Sequence, residues 1–190
     1  MRKSRVETAE TRQRIIDVAA RKFRLNGISA TGLSDVMSEA GLTHGGFYRH
    51  FESKDQLVAE ACAAAMTAIV ASLDEAVSES GNENGFQAVV ERYVSTAHRD
   101  DATGGCPLAG MGSELARSDD NIRAAAARGF RELVDVVAKR MDQQEPDSTE
   151  SKAVFAVAAM VGAVTISRML ADNDASTSVL DHVRQHLDAI

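Results

Sequence analysis

The chain contains no tryptophan, and only two of its 190 residues are proline and two are cysteine. Two cysteines cannot build the disulfide framework of a small secreted domain. With so few prolines, helices can run for many residues without a break. Aromatic residues make up only 4% of the chain, so its core must be built from aliphatic side chains. Alternation of apolar and polar residues over the length of a strand is rare, which predicts an all-α fold.

The sequence also lacks a run of 18 or more uncharged apolar residues. Its most apolar segment, 153–166, has about 14 residues, which is typical of a buried helix and too short for a membrane span. The N-terminus is charged from Arg2 onward and has no apolar segment of the kind found in secretory signals. We therefore expect a cytoplasmic protein with no membrane partner.

Charge is distributed unevenly along the chain, whose formal net charge is −7. Residues 1–54 contain 10 basic and 6 acidic side chains, whereas residues 55–190 contain 11 basic and 22 acidic ones. A basic head on an acidic body directs one end of the molecule toward a polyanion. The asymmetry favours a nucleic-acid partner for the head, although chance alone would also produce it in some chains.

Helix start and stop signals divide the head into three short helices. A polar arm over about residues 1–8 precedes a first helix over about 10–25. Thr31 is placed to cap a second helix that Gly41 closes, and Thr43 to cap a third that ends near Phe51. Ser53 then caps a long helix. The order helix, short glycine-containing turn, helix over residues 31–51 is that of a helix-turn-helix.

The third helix has one apolar side and one side suited to DNA. Phe47 and Phe51 are four residues apart and are predicted to anchor it, so that His44, Gly45 and Tyr48 face outward. The Gly45-Gly46 pair costs about 1 kcal/mol per glycine relative to alanine in a helix. A close approach of the backbone to a major groove would explain this cost, while an ordinary glycine-containing loop is the alternative.

The body is predicted to be helical throughout. Its helices are expected over about 54–80, 84–98, 107–117, 119–143 and 148–171, followed by a last helix that contains Val179, Leu180, Val183 and Leu187. This gives about nine helices in all. The predicted division is a DNA-binding domain over 1–53, with the helix-turn-helix unit over about 8–68, and a ligand-binding and dimerisation domain over 54–190.

The segment from Gly41 to Leu57, Gly-Leu-Thr-His-Gly-Gly-Phe-Tyr-Arg-His-Phe-Glu-Ser-Lys-Asp-Gln-Leu, resembles the recognition helix of the TetR (tetracycline repressor) family. The resemblance extends upstream, so that it covers about 50 residues with fixed spacing. Gly105-Cys106-Pro107-Leu108 and Ser113-Glu114-Leu115-Ala116 also resemble a pattern of some members. The upstream positions that match are Arg14, Ile15, Ile16, Ala19, Ala20, Phe23, Gly27, Thr31 and Leu33.

The resemblance implies an N-terminal three-helix helix-turn-helix domain and a helical ligand-binding and dimerisation domain. Base edges would be read by His44 and Gly45, while hydroxyl and cationic groups would hold phosphates. Gly46 departs from the small polar residue of many members, so direct readout should be weak there and His44, Arg49 or DNA deformability should supply specificity. Arg2, Lys3 and Arg5 would reach an adjacent groove or phosphate. The implied DNA contacts are Thr31, Gly32, Thr43, His44, Gly45, Gly46, Tyr48, Arg49, His50 and Lys54.

A homodimer that reads two half-sites of a double-stranded operator is expected, since one short recognition helix gives limited affinity. The family places the dimer interface on the last two helices. Small residues on the penultimate helix (Ala153, Ala156, Ala159, Gly162 and Ala163) suit a close approach of helices, or simple packing within one subunit. The resemblance also implies an effector pocket, for which the apolar candidates are Met66, Phe86, Tyr93, Cys106, Met111, Phe130, Val134 and Phe155.

Two groups in the body could carry other chemistry. Cys106 precedes the helix that begins at Pro107, where a lowered thiol pKa would make it a sensor of oxidants or electrophiles, or it is an inert buried thiol. His182 and His186 are four residues apart and could bind a metal ion, but surface positions without that role are the simpler interpretation.

The sequence contains no phosphate-binding loop, nucleophile elbow or metal-spaced cluster, so no catalytic residue and no cofactor is predicted. The favoured function is a repressor that a small apolar or electrophilic effector releases from a pseudo-palindromic operator. The alternatives are an enzyme that uses the apolar cavity and a DNA-binding protein that responds to no ligand.

Overall fold

The structure, a computed structural model, describes residues 5–81, 84–141 and 146–190. Within these ranges the chain forms nine α-helices and one 3-10 helix, and no strand. The elements are α1 (Arg5–Asn26), α2 (Leu33–Glu39), the 3-10 helix (His44–Arg49), α3 (Lys54–Glu79), α4 (Gly85–Tyr93), α5 (Thr96–Asp100), α6 (Pro107–Ala116), α7 (Asp120–Ala138), α8 (Pro146–Met169) and α9 (Asn173–Leu187).

The interior is divided into two apolar cores that α3 connects. The head core contains Phe23, Met37, Phe47 and the first half of α3. The body core contains the second half of α3 together with α4, α7, α8 and α9. Met111 and Leu115 of α6 and Ile122 of α7 pack into the head core, so the body helices support the head directly.

Helices α3 and α7 approach each other closely at Gly129. A Cβ atom at this position would lie 2.4 Å from Cγ of Met66, so a glycine is required unless the helices separate.

Helix α3 and residues 148–169 of α8 are long and apolar enough to cross a membrane by length and composition alone. Both helices contribute buried residues to the body core, which explains their apolar composition without a membrane.

Several predicted boundaries are confirmed by capping contacts. The Ser53 hydroxyl accepts a hydrogen bond from the Gln56 N–H at 3.0 Å, and α3 begins at the next residue. Asp119 caps α7 in the same way through the Ile122 N–H at 2.8 Å. Gly41 ends the turn after α2 with φ of +73°, a conformation that glycine adopts without strain.

Other predicted boundaries are wrong. The first helix includes residues from Arg5 onward and does not begin near residue 10. Arg2 and Lys3, which were expected to reach DNA, lie outside the described residues. The helix predicted over 84–98 is divided in two, because the Ser95 hydroxyl accepts a hydrogen bond from the His98 N–H and starts α5. Helix α7 ends at Ala138, short of the predicted residue 143.

Candidate DNA-binding site

Two stacked aromatic rings hold the 3-10 helix on the head. Phe47 has no solvent exposure and Phe51 is buried, and their ring centroids are 5.5 Å apart. The Arg12 guanidinium of α1 lies over the Phe51 ring at 4.5 Å and forms an ion pair of 2.6 Å with Glu60 of α3. The predicted anchoring role of the two phenylalanines is confirmed, and Arg12 ties their platform to both neighbouring helices.

The opposite side of the 3-10 helix is open to solvent. Thr43, His44, Gly45 and Arg49 are exposed, and the Tyr48 side chain is 67% exposed. The His44 ring lies 3.4 Å from the Ser34 hydroxyl of α2, so the two helices of the motif share this face. An exposed surface with few charges and several hydrogen-bonding groups suits the edges of bases.

The segment is a 3-10 helix of six residues instead of the expected α-helix. Its short length and its two glycines, which have low helix propensity, account for the difference. Neither glycine is required by the chain itself. Both have negative φ, a Cβ at Gly45 would have no atom within 4 Å, and a Cβ at Gly46 would make ordinary contacts with Met37 and Thr43.

Two predicted roles of threonine are corrected by the structure. Thr31 is 3% exposed, and its hydroxyl donates to the Gly27 carbonyl at 2.7 Å, so its side chain closes the α1–α2 turn and does not reach a phosphate in this conformation. Gly32, and not Thr31, occupies the N-cap of α2. Thr43 does occupy the N-cap of the 3-10 helix, but its hydroxyl makes no capping hydrogen bond and remains exposed.

Two side chains at the edge of the site, Lys54 and His50, are only partly exposed. The Lys54 Nζ donates to the Ile28 carbonyl at 2.7 Å, which leaves two ammonium hydrogens for other acceptors. His50 is half-buried, and its carbonyl accepts a hydrogen bond of 3.3 Å from Arg12. Contacts of Lys54 and His50 with phosphates remain predictions.

A carboxylate of the body holds the turn between α1 and α2. The two Glu114 oxygens of α6 accept hydrogen bonds from the Ile28 N–H at 2.9 Å and the Ser29 N–H at 3.0 Å. Partial burial disfavours the negative charge of the Glu114 carboxylate and by itself would raise its pKa. The hydrogen bonds from the Ser29 and Ile28 N–H groups have the larger combined effect, so the pKa of Glu114 is lowered. A second connection joins Arg24 Nε of α1 to the Thr103 carbonyl at 2.6 Å. Local sequence patterns gave no signal for either contact, since the partners are about 80 residues apart in the chain.

The predicted pocket residues do not line one cavity. Met66, Tyr93, Cys106 and Val134 are buried in the body core, and Phe86 is half-buried against it. Met111 belongs to the head core, and Phe155 is 60% exposed on α8, so its assignment to a pocket is wrong. Of the eight candidates, Phe130 lines an apolar groove of about 690 Å³ between α6, α7 and α8. The groove is also lined by Leu108, Gly112, Leu115, Ala116, Arg123, Ala126, Ala127, Ala158, Val161 and Gly162.

Cys106 does not have the lowered pKa on which its proposed sensor role depended. The thiol has no solvent exposure, and its sulfur lies 4.0 Å from that of Met66. Burial raises the pKa of the Cys106 thiol, and it raises that of the Cys62 thiol to about 11. The helix N-terminus does not overcome this loss of solvation, so neither cysteine presents a reactive thiolate in this conformation.

Nothing in the described ranges assembles a metal centre of three or more histidine, cysteine or carboxylate side chains. His98 illustrates why, since both of its ring nitrogens are used inside the body. One lies 2.7 Å from the Tyr93 carbonyl and the other accepts the Cys106 N–H at 2.9 Å.

Known families match both parts of the chain. Residues 15–61 match the family described as "Bacterial regulatory proteins, tetR family", and residues 83–186 match "Transcriptional regulator LmrA/YxaF-like, C-terminal domain". The second match alone covers more than half of the chain. Together they span the helix-turn-helix, the groove and the last two helices.

Individual proteins resemble the chain over most of its length or over a shorter segment. The uncharacterized HTH-type transcriptional regulator Rv0196 of Mycobacterium tuberculosis is 31% identical over 169 residues, which cover 85% of this chain and 86% of that protein. The probable acrEF/envCD operon repressor of Escherichia coli K12 is 39% identical over 59 residues, 31% of this chain and 27% of that protein.

A solved structure shows the same architecture. The TetR transcriptional regulator from Chloroflexus aurantiacus superimposes with a TM-score of 0.77 at 26% identity, covering 97% of this chain and 95% of that chain. These relatives are transcription regulators and not enzymes. The chain therefore belongs to the tetR family of bacterial regulatory proteins and is a DNA-binding transcription regulator.

Proposed function

We propose that the protein is a cytoplasmic repressor that binds a pseudo-palindromic operator as a homodimer and is released by a small apolar effector. Repression is supported by the matching segment of a relative named as a probable operon repressor. The head, residues 1–53, is proposed to bind DNA, and the body, residues 54–190, to dimerise and bind the effector. The presence of two apolar cores supports this division, and the head core also takes in residues of α3, α6 and α7.

The observation that carries DNA binding is the outward face of the 3-10 helix. It is anchored from below by Phe47, carries exposed His44 and Tyr48, and contains a glycine at position 45 that no internal contact requires. His44 and the Gly45 backbone are proposed to face base edges, Arg49 to add to specificity, and Tyr48 to hold a phosphate. The excess of basic over acidic side chains in the head suits contact of this face with the phosphates of DNA.

Replacing Gly45 by alanine tests the proposed close approach. The added Cβ meets no atom of the chain, so the free energy of unfolding should stay the same or rise by up to about 1 kcal/mol. Operator affinity in a fluorescence-anisotropy titration should nevertheless fall at least tenfold, because the methyl group would separate the helix from the groove. The operator is first obtained by selection from random DNA, which should return a pseudo-palindrome.

The matched control is Gly46→Ala, whose Cβ points toward Met37 and Thr43 of the same chain at 3.7 and 3.8 Å. This variant should keep operator affinity within about threefold, since its methyl group does not face outward. Equal affinity of the Gly45→Ala variant and the unchanged protein would contradict the assignment of this face to DNA.

Dimerisation is assigned to α8 and α9 because α8 carries an apolar face that the single chain leaves uncovered. Isolated exposed apolar residues are common, but a continuous stripe indicates an interaction surface. The predicted role of the small residues is corrected in part, since Ala153, Ala156 and Ala163 are buried within the subunit. The exposed large residues of the stripe are Val154, Phe155, Ile166, Met169 and Leu170.

The groove between α6, α7 and α8 is the proposed effector site. Its lining is almost entirely apolar, with Arg123 as its one charged lining side chain. A groove of this lining favours an apolar molecule, and the raised pKa of Cys106 removes support for an electrophile. The presence of the groove also favours an effector-responsive repressor over a DNA-binding protein that responds to no ligand.

The effector site is tested with the fluorescent apolar probe 1-anilinonaphthalene-8-sulfonate and the variant Gly112→Leu. A Cβ at Gly112 meets no atom within 4 Å, so a leucine would enter the groove without strain. Probe affinity should fall at least tenfold in Gly112→Leu, with an unchanged unfolding midpoint. Unchanged probe affinity would exclude this groove as the site.

A further inference from the structure

His182 and His186 form a pair of exposed imidazoles on the side of α9 that faces away from the core. Their spacing of four residues places them one above the other on the helix, with Cβ atoms about 5–6 Å apart. The inward side of α9 is formed by Ser176, Leu180 and Leu187, which are buried. Both histidine side chains are therefore exposed together on the same side of α9 in the single chain.

Hydrogen bonds to the backbone determine which nitrogen of each ring carries the proton. His182 Nδ1 lies 2.7 Å from the Ser178 carbonyl, and His186 Nδ1 lies 2.8 Å from the His182 carbonyl. A carbonyl oxygen only accepts, so each Nδ1 must donate its hydrogen. The lone pair is then on Nε2 of both rings, which is the form of imidazole that binds metal ions.

The surroundings do not oppose a bound cation. The nearest basic side chain on α9, Arg184, is engaged in an ion pair with Asp181. The other histidines offer no equivalent pair, since His98 uses both nitrogens in the body, His50 is half-buried in the head and His44 lies on the DNA-binding face. Both cysteines are buried and do not compete for the ion.

We propose that His182 and His186 together bind a borderline divalent transition-metal ion such as Zn²⁺, Ni²⁺ or Cu²⁺ through their Nε2 atoms. Two histidines at this spacing on one helix face are a recurring pair of metal ligands, and imidazole suits these ions. No third histidine, cysteine or carboxylate completes a cluster within the described residues. Water, or a second copy of the chain, supplies the remaining ligands.

Titration of the full-length protein with Cu²⁺ tests this site, because Cu²⁺ has the highest affinity among the divalent ions of this series. Electron paramagnetic resonance should show two imidazole nitrogens on the first bound ion at one ion per chain, or four at one ion per two chains. His182→Ala and His186→Ala should each lower the affinity at least tenfold and halve the number of nitrogens. Exposed substitutions of this kind should leave the unfolding midpoint unchanged.

Two further substitutions, each made in the His186→Ala variant, distinguish the effect of histidine spacing from the effect of histidine number. Adding Gln185→His restores a pair at a spacing of three residues, on the same helix face, and should recover the affinity. Adding Asp188→His gives the same number of histidines six residues apart, and should not recover it. The proposal is overturned if the unchanged protein binds Cu²⁺ no more tightly than His186→Ala, or if Asp188→His restores binding.

Discussion

Replacement of Phe47 by alanine is expected to lower the free energy of unfolding by about 3–5 kcal/mol and to abolish operator binding. The ring has no solvent exposure and stacks on Phe51 beneath the 3-10 helix. Six residues cannot hold a helical conformation without such an anchor, because nucleation of a helix is unfavourable. Urea denaturation followed by circular dichroism measures the stability, and fluorescence anisotropy measures operator binding.

The neighbouring residue provides the control for this experiment. Tyr48 is 67% exposed and its ring meets Phe47 edge-on at 5.2 Å, so Tyr48→Ala removes an aromatic side chain of similar size from the surface. Its unfolding free energy should change by about 0.5 kcal/mol or less, whereas its operator affinity should fall. If both variants lose similar stability, Phe47 is not the anchor of the site.

Replacement of Met169 by glutamate is expected to convert the dimer to a monomer and to lower operator affinity at least 100-fold. Met169 is 77% exposed in the single chain, near the C-terminal end of the apolar stripe of α8. In the proposed dimer the new carboxylate would be buried without a partner, which costs several kcal/mol. Two linked heads bind two half-sites with an advantage of about 10²–10⁴ over one head, and the monomer loses it.

Sedimentation velocity measures the oligomeric state of this variant, and circular dichroism verifies that the helices remain. Leu25→Glu is the matched control, because Leu25 is also an apolar residue with 56% exposure but lies on α1 of the head. It should sediment as the unchanged protein does. A Met169→Glu protein that remains dimeric would show that α8 does not form the interface.

Sequence periodicity was sufficient to find which side of the third head helix is buried. Phe47 and Phe51 were predicted as anchors because four-residue spacing places two side chains on one face of an α-helix, and both are buried although the helix is 3-10 and ends at Arg49. Ser53 was also identified from the local sequence, because a capping hydroxyl accepts a hydrogen bond from the N–H group three residues later. Features decided within one helical turn can be read from the sequence.

Features decided by distant partners were predicted less well. The hydroxyl of Thr31 was expected to face a phosphate, but it points to the Lys22 carbonyl, nine residues earlier on α1, as well as to the nearby Gly27 carbonyl. Phe155 was expected in a pocket because it is large and apolar, and only the packing of α8 shows that its side faces outward. The Glu114 contacts depend on how α6 crosses the head, which no local pattern records.

These Glu114 hydrogen bonds have a thermodynamic consequence for any ligand of the groove. Helix α6 lines the groove through Leu108, Gly112 and Leu115, and the same helix carries the carboxylate that holds the Ile28 and Ser29 amides. A ligand that displaces α6 must therefore either break these bonds or carry the turn with it. The two binding free energies are then linked, so operator DNA must lower the ligand's affinity by the same factor by which the ligand lowers that of DNA.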